Sequence, residues 1–210
     1  MKRNLVLVAM LLIAQFAAAQ VKVIHLKKAD IPTDMKYKGG FRDAVQYTDK
    51  DGTHTVITTE AMLSSPSDDN ESVYTGYLHA FNYLQTGNTV TLVWQMNDLA
   101  GPCGPDQDTR FHAGSLDVTD LDKNGVCEVW LVYRVSCHGY QTPSPMKVIM
   151  HEGVKKYAMR GTTKLKLKVT PPQYMGGDYT FDAAFDTAPE SFRAYAKQLW
   201  GKNLNEVAKY

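Results

Sequence analysis

The 210-residue chain lacks the motifs that announce the commoner chemistries. It has no nucleophile elbow, P-loop, dinucleotide fingerprint or zinc-protease helix. Its six histidines (His25, His54, His79, His112, His138 and His151) are scattered without metal-ligand spacing, so they do not spell a zinc site. Charge of one sign is not in excess, with 23 Lys and Arg against 22 Asp and Glu. Loss of Lys2 and Arg3 with a leader leaves 21 against 22, and a near-neutral chain has no electrostatic footprint for nucleic acid.

Long apolar runs are missing except at the N-terminus. There Lys2 and Arg3 precede an apolar stretch from Leu5 to Phe16, and Ala17-Ala18-Ala19 supplies small residues before Gln20. The run is shorter than the ~20 residues a transmembrane helix needs. It has the layout of a signal peptide over residues 1–19, with no transmembrane segment after cleavage. Residues 20–210 then form one domain, large enough to bury a core. Its expected location is the periplasm, the cell surface or the extracellular medium.

Cysteine is scarce as well: Cys103, Cys127 and Cys137 are the three. Cys127 and Cys137 sit ten residues apart along one apparent strand, too far for a bond at ~3.3 Å per residue. Cys103 lies in a Gly-Pro-rich loop and Cys137 at a strand end, so export favours a Cys103–Cys137 bridge worth about 4 kcal/mol. Cys127 alternates with Val129, Leu131, Tyr133 and Val135 and reads as a small buried hydrophobe.

What the chain does have is alternation. Phe41–Thr48 and Thr53–Thr59 flank Asp49-Lys50-Asp51-Gly52, a hairpin turn in which the aspartates serve turn chemistry. Val73–Tyr83 and Thr89–Met96 form a second pair, and Met146–Met150 with Lys155–Met159 a third. Val126–Ser136 is apolar on both faces, which predicts a central strand, and Lys164–Val169 alternates lysine with apolar residues. Asn97–Arg110 and Pro171–Asp186 read as loops, and Ser64–Asn70 as a polar surface loop. Near the end, Thr187-x-x-Glu190 has capping-box spacing, with Pro189 in the first turn and Gly201 as the C-cap. Phe192, Tyr195, Ala196, Leu199 and Trp200 follow at helical spacing. The expected fold is mainly β: antiparallel sheets in a sandwich or open propeller-like stack, with one C-terminal amphipathic helix.

One segment carries chemistry. Asp120, Asp122 and Asn124 alternate, Gly125 allows a tight turn, and Glu128 adds a carboxylate where the central strand begins. A hard cation needing six to eight oxygens suits that donor set, whereas the EF-hand's twelfth position falls on Leu131 and excludes that class. The segment resembles the calcium loops of FG-GAP/VCBS-type β-propeller repeats. That resemblance implies ligands at Asp120, Asp122, Asn124 and Glu128 and the carbonyl of Val126, with calcium as a structural cofactor.

Residues 119–130, together with Cys137-His138-Gly139, Ser144-Pro145-Met146-Lys147 and Lys156–Gly161, also resemble a family of exported Bacteroidetes proteins. Some genomes label that family "surface polysaccharide biosynthesis protein", which implies a link to the cell envelope. A bridged Cys103 loop would bring Asp98, Asp106 and Asp108 near His138 and Tyr140, and these form a candidate binding surface. The sequence thus favours a non-enzymatic, calcium-stabilised envelope domain with a glycan or protein as partner. The alternative is an envelope enzyme or accessory factor in surface polysaccharide biosynthesis.

Overall fold

A computed structural model describes residues 21–67, 71–137 and 142–208. The expected leader, the Asp68–Asn70 part of the polar loop, and His138 and Tyr140 lie outside the described residues. In chain order the first sheet comprises β1 (Ile24–His25), β2 (Gly40–Asp49), β3 (Gly52–Pro66), β4 (Ser72–Thr86) and β5 (Thr89–Cys103). Each strand pairs antiparallel with the next, with two-residue turns joining β2 to β3 and β4 to β5. There follow β6 (Asp108–Phe111), β7 (Asp117–Thr119), β8 (Glu128–Ser136), β9 (Pro145–Glu152), β10 (Lys155–Thr162), β11 (Lys164–Lys166), β12 (Tyr174–Gly176) and β13 (Tyr179–Phe181). Helix α1 (Glu190–Asn203) and β14 (Asn205–Val207) close the described chain.

The second sheet runs β13-β10-β9-β8-β6, with β7 also on β8, and a small third sheet joins β12, β11 and β14. The two large sheets face each other as a sandwich. Val45, Tyr47, Val56, Leu78, Trp94 and Met96 from the first meet Phe111, Val129, Leu131, Tyr133 and Ile149 from the second. The other face of β8 presents Trp130 and Val132 to Phe192, Ala196, Leu199 and Trp200 of α1. This double burial is why β8 is apolar on both faces. The outer face of the first sheet buries Ala44, Ile57, Phe81 and Tyr83 beneath Ile31 and Met35 of the N-terminal segment.

The two large antiparallel sheets and one α-helix near the C-terminus of the described residues agree with the expected class, and Cys103 is bonded to Cys137. Cys127 is free and buried. Several local expectations are corrected. Asn97–Arg110 is not all loop: β5 continues to Cys103 and β6 starts at Asp108. Pro102 is accommodated because it falls in the register irregularity of the edge strand β5, where it has no partner residue in β4. Similarly, β3 extends to Pro66, well into the expected polar loop, because β4 pairs along its full length. The lysine-alternating strand shrinks to Lys164–Lys166, and Pro171–Asp186 contains β12, β13 and a 3-10 turn. The capping box does not form: Thr187 ends that turn, Pro189 is the N-cap without a side-chain bond, and the helix passes through Gly201.

Candidate metal centre

The loop between β7 and β8 is shaped by its own side chains. The Asp122 carboxylate accepts the Asn124 N–H (3.1 Å) and the Asn124 carboxamide oxygen accepts the Val126 N–H (2.7 Å). These are consecutive Asx turns, and Lys123 and Gly125 take left-handed backbone conformations between them. Register then fixes Glu128. Paired with Thr119 at the start of β8, its side chain is fully buried and accepts the Thr119 hydroxyl (2.6 Å) and the Leu121 N–H (3.0 Å). The Thr119 oxygen in turn accepts the Trp130 indole N–H (2.8 Å), anchoring the carboxylate to the packed face of β8.

Oxygens of Asp120, Asp122 and Glu128 converge within 4.8 Å of one another, the one such acidic, histidine or cysteine group among the described residues. Burial raises the Glu128 pKa, Thr119 and Leu121 oppose the rise, and the charges of Asp122 and Asp120 add to it. One oxygen of Asp120 is sealed from water and has no hydrogen-bond donor. Three clustered carboxylates, one with an orphaned buried oxygen, fit a hard cation that supplies the missing positive charge.

The remaining predicted ligands are placed differently. The Asn124 oxygen is engaged by the Val126 N–H, and its amide donates to Asp122 (2.9 Å) and to Glu152 (2.6 Å). Val126 borders a small cavity beside the loop. Glu152 belongs to no motif in the sequence, yet it stands directly opposite Glu128 in the β8–β9 register. Pairing the central strand with the following hairpin was the signal that could have found it.

The loop also touches the opposite sheet. At the β2–β3 turn, the Lys50 N–H donates to the Gly125 carbonyl (2.9 Å) and the Lys50 ammonium to the Asn124 carbonyl (3.3 Å). Asp49 accepts the Asp51 N–H (2.9 Å) as expected of a turn aspartate, and its second oxygen takes the Cys127 N–H (3.1 Å). The same side chain lies 3.3 Å from His54 Nε2. A cavity of about 50 Å³ lies behind, bordered by Asp49, His54, Trp94, Cys127 and His151. Burial and the charges of Asp49, Asp120 and Glu128 push the Cys127 thiol up to about 12, so it is not a thiolate nucleophile at neutral pH.

The acidic residues of the candidate binding surface have separate partners. Asp98 accepts the Tyr133 hydroxyl (2.8 Å) and the Lys147 ammonium (2.6 Å). Asp108 pairs with Arg110 (3.1 Å) and Arg134 (3.5 Å), and Arg134 also binds Glu206 (3.0 Å). Asp106 is exposed in the turn before β6. Comparison with known proteins returns no match: no family model fits the chain, and no curated protein or solved structure is similar to it.

Proposed function

We propose that this chain is an exported, non-enzymatic β-sandwich domain of the cell envelope, stabilised by calcium at the Asp120–Glu128 loop and binding a glycan or protein. The carrying observation is the convergence of Asp120, Asp122 and Glu128 with an unpaired buried oxygen on Asp120. The Cys103–Cys137 bond supports an oxidising compartment, where calcium is also available. No helix among the described residues is long and apolar enough to cross a membrane. The centre offers structural stabilisation rather than turnover, because its buried carboxylate is braced by Thr119, Leu121 and Trp130 rather than open to a substrate. The resemblance to the surface-polysaccharide family supports the envelope setting and keeps an accessory role in polysaccharide synthesis as the second reading.

Thermal unfolding with calcium or with chelator tests the metal. A dissociation constant on the order of 0.1–1 mM is expected for such an extracellular site. Roughly 10 mM calcium then adds about 1.4–2.7 kcal/mol, or about 3–10 °C for a domain of this size. An unchanged midpoint would overturn the calcium assignment, and magnesium should shift it less because it demands a tighter octahedron.

A further inference from the structure

We propose that the outer face of the first sheet carries a shallow site for one acidic sugar residue of a polysaccharide, built on Tyr77, His79 and Lys38. This deepens the binding-domain reading and rests on it. Alternation along β4 puts Tyr77, His79, Phe81 and Tyr83 on one face. The N-terminal segment packs over Phe81 and Tyr83. It is pinned there by the Thr59 hydroxyl bond to the Lys38 carbonyl (2.6 Å) and by the Tyr83 hydroxyl on the Lys36 carbonyl. Beyond Lys38 and Gly39 the aromatic row runs on without that cover. A groove of about 250 Å³ forms there between Lys38, Gly39, Ala61, Leu63, Tyr77 and His79.

Its chemistry is mixed in a way that selects the occupant. Tyr77 and His79 stack, 6.2 Å between centroids at 22°, and Tyr77, half-buried opposite the small Ala61, lines the groove. The negative ring face of Tyr77 suits the weakly positive C–H face of a pyranose. His79 is 4% exposed, with Nδ1 held 2.8 Å from the Asn97 carboxamide oxygen. Donation from Nδ1 leaves a lone pair on Nε2. Burial lowers the His79 pKa, Asn97 opposes it and Lys38 adds to it, so the ring stays neutral and accepts a hydroxyl proton.

The exposed Lys38 ammonium, close enough to act on His79, supplies the charge for a carboxylate. An apolar peptide side chain would cover His79 without giving it a donor, at the desolvation cost of a buried polar group. The groove is smaller than the ~300–1,000 Å³ of pockets that enclose a whole ligand, which suits one ring of a chain whose neighbours stay in water. Leu63 and Leu99, both at least half exposed, extend the apolar rim along the chain path.

Calorimetric titration with trigalacturonate, and with cellotriose as its neutral counterpart, tests the site on the full mature chain in saturating calcium. Trigalacturonate should bind, with cellotriose at least about 10-fold weaker. Tyr77→Ala and Lys38→Glu should each weaken the acidic trisaccharide by about 10-fold or more. Lys38 is on the surface, so its variant reports binding without disturbing the fold, and unfolding midpoints monitor both proteins. Binding untouched by either substitution overturns this site while leaving the binding-domain reading intact. Failure of the folded protein to bind any member of an acidic and neutral glycan panel overturns both the site and the glycan part of that reading.

Discussion

Mild acid should destabilise this fold through His151. The side chain is 5% exposed, its ring lies on Trp94 with centroids 4.1 Å apart, and neither nitrogen has a hydrogen-bond partner. Burial, with the Lys156 charge adding, pushes its pKa down to about 4, against about 6.5 in the unfolded chain. Well above pH 6.5 both states are neutral there and the group contributes nothing. Between the two values the unfolded chain takes a proton that the folded chain refuses, so stability falls as pH falls. At about pH 5 the difference is about 2 kcal/mol, rising to about 3 at pH 4. Urea unfolding in chelator at about pH 7 and pH 5 measures the loss. His151→Gln cannot titrate, so the variant's loss between those conditions should be smaller by about 2 kcal/mol. His112 is also pushed down to about 4, by burial and then by Arg134 and Arg110, but that background is common to both proteins and cancels. Equal acid losses in wild type and variant would refute the reasoning.

Replacing Cys103 and Cys137 by serine opens a crosslink spanning 34 residues of separation, and loop entropy puts the loss at about 4 kcal/mol; a urea midpoint unchanged by reduction would count against it. Trp200 is 2% exposed and packs in the cluster beneath α1, so Trp200→Ala should cost about 3–5 kcal/mol, read as a fall in the same midpoint.

The legible parts of the fold were those whose signals are local. Apolar residues on both faces of 129–133 placed β8 centrally, because one face meets the first sheet and the other meets α1. The Asp49–Gly52 turn set the β2–β3 hairpin, and the cysteine positions favoured the Cys103–Cys137 pair that the structure contains. What escaped depended on partners distant in sequence. Asn97–Cys103 looked like loop by composition, yet β4 pairs with it from Asn97 to Ala100 and again at Cys103, across a register irregularity between Tyr74 and Gly76. Thr187 had the right spacing for a cap, but the chain used it to finish a 3-10 turn, a tertiary choice that local propensity cannot foresee. At the acidic loop the carboxylates and Asn124 were legible and their engagements were not: Asn124 turns its oxygen inward to Val126, and Glu152 arrives from another hairpin.

Those long-range contacts give the loop a mechanical meaning that its ligand pattern does not express. Its carbonyls at Asn124 and Gly125 and its Cys127 N–H are bound by Lys50 and Asp49, residues of the opposite sheet. Its Glu128 starts the central strand of the second sheet, and its Asn124 reaches Glu152 on the neighbouring strand. The loop is therefore a junction of three hairpins. Asp120, Asp122 and Glu128 repel one another when ionised, and the loop that carries them also presents 124–127 to Lys50 and Asp49. A cation bound there would remove the repulsion at its source, so its binding energy would reach the docking of one sheet on the other as well as the loop itself.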